Sequence, residues 1–161
     1  WCRNKNYRFI KCDISSKKLE KIFNRYNPNG IFNLAAETHV DRSIDNPKSF
    51  INSNIIGVFN ILEIFKKFSK KNKKTRLIHI STDEVYGDIT EGDHLETDIL
   101  KPSNPYSATK AAADQLIMAW GRTYDLPYVI LRPTNNYGIG QYVEKLIPKT
   151  IKYLTLGKKI P

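Results

Sequence analysis

Two adjacent carboxylates follow an apolar run near the middle of the 161-residue chain. Residues 77–80 are apolar apart from one histidine, and Thr82, Asp83 and Glu84 come directly behind them. Carboxylates that share a cleft ionise unequally, so that one can act as an acid while the other acts as a base. The elimination of water across two adjacent carbons needs this division of roles. The competing interpretation is that both acids are solvated residues of a turn.

A tyrosine and a lysine four residues apart form a second candidate group. Pro105 predicts the start of a helix, and Tyr106 and Lys110 would then lie on one face of that helix. An ammonium near a phenol lowers the pKa of the phenol, so that Tyr106 could take the proton of a sugar hydroxyl as hydride leaves the same carbon. Lys110 could also hold a nicotinamide ribose. This spacing alone also occurs at surface helix starts, and the strand-end Thr82 makes it more specific.

These candidates lie among alternating apolar strands and amphipathic helices. Strands are predicted at residues 8–12, 31–36, 76–81 and 128–132, and helices at 16–26, 47–66, 106–124 and about 143–155. Such alternation, with apolar strand interiors, is typical of a parallel sheet covered on both faces. The polar motifs at 35–39, 82–84 and 135–136 each follow a strand. They should therefore meet at the carboxyl edge of the sheet, where ligands bind in such folds.

Composition argues against several classes of function. The net charge is +10, but much of it comes from lysines within residues 66–76, at a predicted helix end where cations are favoured and solvated. No nucleic-acid-binding motif accompanies this charge, and no apolar stretch is long enough to span a membrane. Cys2 and Cys12 cannot form a disulfide framework, and the histidines are scattered, so no metal is predicted. These features favour a reducing, cytoplasmic setting.

Five stretches of the sequence carry a resemblance to a known family. They begin at Asn33, Ile80, Ser103, Asn135 and Glu144 and read NLAAETHVDRSI, ISTDEVYG, SNPYSATK, NNYG and EKLIP. From about residue 9 to its last residue, the chain closely resembles the extended short-chain dehydrogenase/reductases and, within them, the dTDP-glucose 4,6-dehydratases. Related epimerases usually carry a serine-rich motif at positions 82–84, and related decarboxylases and GDP-mannose dehydratases carry Thr-Ser-Glu. The Asp-Glu pair is therefore the discriminating feature.

The resemblance implies a Rossmann-like, doubly wound α/β sheet and a lyase that uses tightly bound NAD. Tyr106 would deprotonate the 4-hydroxyl of the sugar, oriented by Thr82, while hydride passes from C4 to NAD⁺. Glu84 would then remove the C5 proton, Asp83 would protonate the departing 6-hydroxyl, and hydride would return to C6. The product would be dTDP-4-keto-6-deoxyglucose, which serves deoxysugar and rhamnose biosynthesis.

The resemblance also implies two binding sites and a partner. The cofactor-binding positions would be Asp13, Ile14, Leu34, Ala35, Ala36, Ser53, Tyr106, Lys110 and Asn136. The substrate-binding positions would be Thr38, Thr82, Asn135, Lys145, Leu146 and Pro161. The family pairs the helices at 47–66 and 106–124 into a four-helix bundle, which predicts a homodimer.

The sequence departs from the family pattern in several places. No glycine-rich phosphate loop precedes Arg8, so the first βαβ unit and most of the substrate domain are expected to be absent. Residues 1–161 would form a partial NAD-binding domain, with about 139–161 entering the substrate-binding region. Isoleucine at 139 and valine at 143 replace residues usual in the family, which affects fine substrate geometry. A UDP-sugar 4,6-dehydratase, a 4-epimerase and a non-catalytic fragment stay open as alternatives.

Overall fold

A computed structural model describes residues 4–89 and 91–160 of the chain. Its centre is a parallel sheet of β1 (Gly30–Asn33), β2 (Arg76–Ile80) and β3 (Tyr128–Leu131), adjacent in that order. The helices of the described residues are α1 (Lys18–Tyr26), α2 (Val40–Asp45), α3 (Pro47–Phe50), α4 (Gly57–Ser69), α5 (Pro105–Tyr124) and α6 (Leu146–Thr155). Parallel strands joined by helical connections confirm the predicted Rossmann-like α/β sheet.

The core lies between one face of the sheet and the helices α4 and α5. Leu77 of β2 is buried against Leu62 and Phe65 of α4 and against Ile117 of α5. Burying an apolar side chain of this size stabilises the fold by roughly 1.5–3 kcal/mol. The core therefore fixes the carboxyl ends of the strands relative to the two helices that pack against them.

The opposite face of the sheet is open in the described part of the chain. Phe32 of β1 is 68% exposed, and Val129 and Leu131 of β3 are also exposed. Apolar residues on both faces of a strand are typical of a sheet covered on both sides, which is what the sequence predicts. The described helices cover one side of the sheet only.

Several predicted elements have different bounds in the structure. Residues 8–12, predicted as a strand, form no ladder among the described residues, because the sheet begins at β1 and the segment has no pairing partner. The predicted helix from Pro47 is interrupted by a π-helical segment, Ile51–Ile56, before α4 begins. The sequence did not predict α2, and α6 begins at Leu146 rather than near 143. No helix of the described residues is both long and apolar enough to cross a membrane.

Candidate active site

A cleft of about 430 Å³ opens at the carboxyl edge of the sheet. The segments that follow the strands form its walls, together with the start of α5. The predicted site residues that line it are Leu34, Ala36, Thr38, Thr82, Glu84, Tyr106, Lys110, Asn135, Asn136 and Lys145. The volume falls within the range of small-molecule sites. Motifs far apart in the sequence thus meet in one cavity.

Thr82 organises the two acids that follow β2. It precedes a short 3-10 helix, Asp83–Tyr86, and its Oγ1 accepts a hydrogen bond from the backbone N–H of Glu84 at 3.3 Å. The same hydroxyl donates to Oδ1 of Asp83 at 3.2 Å. The backbone N–H of Asp83 donates to the carbonyl of Pro133 at 3.2 Å, which joins this turn to the segment after β3. One threonine therefore contacts the carboxylate of Asp83 and the backbone of Glu84.

The two acids differ in their relation to the cleft. Glu84 lines the cavity, and its Oε2 accepts a hydrogen bond from Nδ2 of Asn104 at 3.3 Å. Asp83 does not line the cavity. Its carboxylate stays against the hydroxyl of Thr82, which does line it. The structure thus brings Glu84 into the site and holds Asp83 behind Thr82, at the margin of the cleft.

The start of α5 is fixed by several hydrogen bonds around Tyr106. Asn104 and Ser107 form a capping box, in which Oδ1 of Asn104 accepts from the N–H of Ser107 at 2.8 Å. The backbone N–H of Tyr106 itself donates to Oγ of Ser43 in α2, at 3.1 Å. The Tyr106 side chain is buried and lines the cleft. These contacts hold the phenol beside the strand-end acids.

The electrostatics of Tyr106 differ from the sequence expectation. Burial raises the pKa of the Tyr106 phenol, the negative charges of Glu84 and Asp83 raise it further, and a hydrogen bond with Thr82 opposes the rise. The expected lowering of this pKa by Lys110 is wrong for this structure. The Nζ of Lys110 instead donates to the carbonyl of Ile80 at 2.6 Å. Burial lowers the pKa of Lys110 to about 8, and the charge of Asp114 opposes that change.

Some predicted site residues do not line the cavity. The residues that do not line it are Asp83, Asp13, Ile14, Ala35, Ser53 and Leu146. Asp13 is exposed, and hydrogen bonds from the hydroxyl and backbone N–H of Ser15 lower the pKa of its carboxyl. The side chain of Ile14 packs so closely on Gly57 that a Cβ at Gly57 would lie 2.5 Å from it. Pro161 lies outside the described residues.

The structure adds a residue of the site that the sequence analysis missed. Asn54, in the π-helical segment, is buried, and its Oδ1 accepts from the N–H of Glu37 at 2.9 Å. Its Nδ2 donates to the carbonyl of Glu37 at 3.0 Å and to Oγ1 of Thr109 at 2.9 Å. Asn54 therefore ties the segment after β1 to α5. Asn54 ends a run of three polar residues, 52–54, between apolar residues of the predicted helix, and that run was the available signal.

Two further residues of the cleft were also missed. His39 lines the cavity, and its Nδ1 is buried without a hydrogen-bond partner among the described residues. Gln141 lines the cavity too and donates from Nε2 to the carbonyl of Asn136 at 2.9 Å. Within the described ranges, no group of three or more His, Cys, Asp or Glu side chains could hold a metal ion. The titratable groups that line the cleft include Glu84, Tyr106 and Lys110.

The sequence and the structure resemble those of known proteins. A family model described as GDP-mannose 4,6 dehydratase matches residues 2–161. A dTDP-glucose 4,6-dehydratase of Neisseria gonorrhoeae is 46% identical over 166 residues, which cover 98% of this chain and 48% of that protein. The chain thus spans about half the length of the curated relatives that it matches.

Solved structures show the same architecture. A dTDP-glucose 4,6-dehydratase from Streptomyces venezuelae, solved with NAD bound, is 37% identical and superposes with a TM-score of 0.89. A UDP-glucuronic acid 4-epimerase from Bacillus cereus, solved with UDP-glucuronic acid and NAD, is 28% identical with a TM-score of 0.88. In each case the match covers 98% of this chain and 48% of the other.

Proposed function

The chain belongs to the family that the GDP-mannose 4,6 dehydratase model describes, and we propose that it carries the catalytic groups of an NAD-dependent hydro-lyase acting on dTDP-glucose. The observation that carries the proposal is the meeting of Thr82, Glu84 and Tyr106 in one cleft, with Asp83 directly behind Thr82. The relatives at 46% identity support dTDP-glucose as the substrate rather than another nucleotide sugar.

The cleft has groups that suit a nicotinamide cofactor. Lys110 offers a buried ammonium to a ribose hydroxyl, and Ala36 lines the same cleft. We assign Leu34, Ala36, Lys110 and Asn136 to this group. The cofactor would supply a hydride acceptor at the first step and return the same hydride at the last.

Tyr106 would act as the base of the oxidation step. Its phenol must take the proton of the 4-hydroxyl as hydride leaves C4. Burial and the nearby carboxylates raise the pKa of Tyr106, so the phenol is protonated at neutral pH in this structure. An oxidised nicotinamide would bring positive charge into the cleft, and that charge would offset these carboxylates. Thr82 would hold the 4-hydroxyl by its own hydroxyl group.

Glu84 and Asp83 would divide the loss of water between them. The 4-ketone acidifies the C5 hydrogen, which Glu84 would remove from inside the cleft. Asp83 would give its proton to the 6-hydroxyl, so that the C6–O bond breaks and water leaves. Return of hydride from the cofactor to C6, together with return of a proton from Glu84 to C5, would complete the 4-keto-6-deoxy sugar. To reach the substrate, Asp83 must pass Thr82, whose hydroxyl donates a hydrogen bond to its carboxylate in this structure.

A 4-epimerase is the second candidate, because the B. cereus epimerase has nearly the same fold in this region. Both reactions can begin with oxidation at C4, which Tyr106 and Lys110 would serve equally. An epimerase returns hydride to C4 and has no need of an acid for the 6-hydroxyl. The Asp83–Glu84 pair therefore favours dehydration.

We also propose a homodimer formed through α4 and α5. Phe59 of α4 is exposed and meets Trp120 of α5 edge-on, with ring centroids 5.9 Å apart, and Tyr124 packs on Trp120 at 6.0 Å. Aromatic surface of this kind is typical of protein interfaces.

The product class, 4-keto-6-deoxy sugars, supports a place in deoxysugar synthesis such as that of rhamnose, in the cytoplasm.

The reaction is tested by offering dTDP-glucose and UDP-glucose in parallel to the full-length protein in deuterated water. We expect a product that has lost one water and gained solvent deuterium at C5, formed faster from dTDP-glucose. A C4 epimer without deuterium at C5 would contradict dehydration and support the epimerase. Product formed equally fast from both sugars would contradict the assigned nucleotide.

A further inference from the structure

His79 is a polar side chain placed in the core of the protein. It lies on β2 two residues after Leu77, so both point to the covered face of the sheet, and it is 1% exposed. An imidazole at such a place must find hydrogen-bond partners, because an unpaired buried polar group costs free energy. The catalytic scheme above gives His79 no role.

Two buried side chains flank the imidazole. Its Nε2 lies 3.5 Å from Nζ of Lys110, which is 3% exposed. Its Nδ1 lies 3.0 Å from Nδ2 of the Asn33 carboxamide, and Asn33 is 5% exposed and pairs with His79 across β1 and β2. The three side chains form a continuous polar chain from β1 through β2 to α5, inside an otherwise apolar core.

The chemistry of the three groups fixes the direction of these hydrogen bonds. An ammonium has donors and no acceptor, so Nε2 of His79 must accept from Lys110. The imidazole proton then lies on Nδ1 and is donated to Asn33. The carboxamide accepts it with its oxygen, which a half-turn of the amide group brings to face Nδ1. Burial, followed by the charge of Lys110, lowers the pKa of His79 to about 3, so the ring is neutral at physiological pH.

We propose that His79, oriented by Asn33, is the residue that positions the Lys110 ammonium for its work in the cleft. Lys110 gives one N–H to the carbonyl of Ile80 at 2.6 Å and one to His79, so two of its three donors are held by β2. The remaining donor is left for the cleft, which Lys110 lines. The inference rests on the proposed function only for the step that Lys110 assists.

Two other titratable side chains lie near Lys110. Asp114 lies one turn further along α5 and is paired with Nε of Arg132 at 2.9 Å. Tyr106 lies one turn before Lys110 on the same helix. Neither contact involves His79, so substitution of His79 changes the hydrogen bonding of the ammonium and leaves these groups in place. Loss of a neutral acceptor destabilises the ammonium and lowers the pKa of Lys110 further.

The tautomer is tested by NMR of the full-length protein labelled with ¹⁵N-histidine. We expect one histidine that carries its proton on Nδ1 and does not titrate from about pH 5 to about pH 8, unlike an ordinary imidazole. His79→Gln assigns that signal by removing it. A proton on Nε2, or titration in the ordinary range, would overturn the proposal. This measurement needs no catalysis, so its outcome is separate from that of the proposed function.

Positioning is tested by the pH profile of His79→Leu beside His79→Gln. We expect the alkaline limb of kcat to move down by about one pH unit in His79→Leu, with kcat about tenfold lower, as the loss of a hydrogen bond to a charged group predicts. His79→Gln, whose amide oxygen can take the place of Nε2, should keep the wild-type profile. An unmoved limb in a folded His79→Leu protein, or equal shifts in both variants, would refute the positioning role. If His79→Leu does not fold, the tautomer measurement on the wild type decides.

Discussion

The Nδ2 of Asn104 lies 3.3 Å from Oε2 of Glu84, so the residue that caps α5 also holds the carboxylate proposed to act on C5. The Oδ1 of the same side chain accepts from the N–H of Ser107. A single carboxamide thus joins the helix that presents Tyr106 to the turn that presents Glu84. This link fixes the carboxylate of Glu84 relative to the phenol of Tyr106.

Substitutions of Asn104 should distinguish its role as the N-cap of α5 from its hydrogen bond to the carboxylate of Glu84. Asn104→Ser keeps a capping oxygen but is too short to reach Glu84, whereas Asn104→Asp keeps the cap and turns a carboxylate towards Glu84. We expect exchange of the C5 hydrogen to slow in Asn104→Ser and to slow further in Asn104→Asp, because repulsion between two carboxylates would push that of Glu84 out of its position. Mass spectrometry of the C5 deuterium measures both. Equal exchange rates in all three proteins would show that the contact is idle.

The stability of the same variants is a matched control. Asn104→Ala removes the cap and should lower the free energy of unfolding by about 1 kcal/mol, whereas Asn104→Ser should change it little. Denaturant titration measures both. A slow exchange that tracks this loss of stability, rather than the loss of the Glu84 contact, would contradict a positioning role for Asn104.

Tyr106→Phe should suppress every step of the reaction. Hydride cannot leave C4 while the 4-hydroxyl keeps its proton, so no reduced cofactor should form in a single turnover. The loss should be at least the roughly 10²–10⁴-fold that positioned base catalysis contributes. Absorbance of bound reduced nicotinamide is the measurement, and Tyr26→Phe, at an exposed tyrosine of α1, is the control. Oxidation at the wild-type rate in Tyr106→Phe would exclude the phenol as the base.

Glu84→Gln and Asp83→Asn should separate two steps that follow oxidation. Both variants should form reduced cofactor in a single turnover. Glu84→Gln should fail to exchange the C5 hydrogen with solvent, whereas Asp83→Asn should still exchange it and should lose water about 10²–10⁴-fold more slowly. Cofactor absorbance and product mass separate the cases. If both variants make product at the wild-type rate, the acids are residues of a solvated turn.

His79 should make the protein sensitive to acid. Its folded pKa is about 3, whereas an unfolded imidazole takes up a proton near pH 6.5. The unfolded state therefore binds more protons as pH falls from about 6.5 towards 3, and stability is lost over that window. This term should amount to about 2 kcal/mol at about pH 5. Denaturant titrations at several pH values should show this loss of stability in the wild type but not in His79→Gln. His94→Gln, which alters an exposed histidine, should keep the loss and is the control. The same pH dependence in all three proteins would contradict a neutral buried His79.

The sheet and the location of the cleft could be predicted from sequence because both follow from local patterns. Apolar runs such as 77–80 mark buried strands, and parallel strands bring the motifs behind them to one edge. The orientation of individual side chains could not be predicted. Thr82 holds Asp83 behind the cleft. The ammonium of Lys110, which was expected to lower the pKa of Tyr106, donates a hydrogen bond to the carbonyl of Ile80. Both outcomes depend on distances set by tertiary packing.

The polar contacts of the core were equally hidden in the sequence. From the sequence, Asn54 is a polar residue of a predicted helix. Only the structure shows that Glu37 and Thr109 surround it. Residues 8–12 have the alternation of a strand, but a strand forms only where another strand offers hydrogen bonds. Composition and periodicity carry no information about such partners.

The π-helical segment Ile51–Ile56 makes this stretch sensitive to changes in its length. Each residue of an α-helix turns the chain by about 100°. Deleting one codon here would return the segment to ordinary α-helical winding and rotate Asn54 away from Glu37, even though every side chain of α4 kept its type. Point substitutions on the exposed surface of this stretch should be tolerated, whereas single-residue insertions and deletions should disrupt the contacts of Asn54. Length, more than residue identity, is what inheritance must preserve at this place.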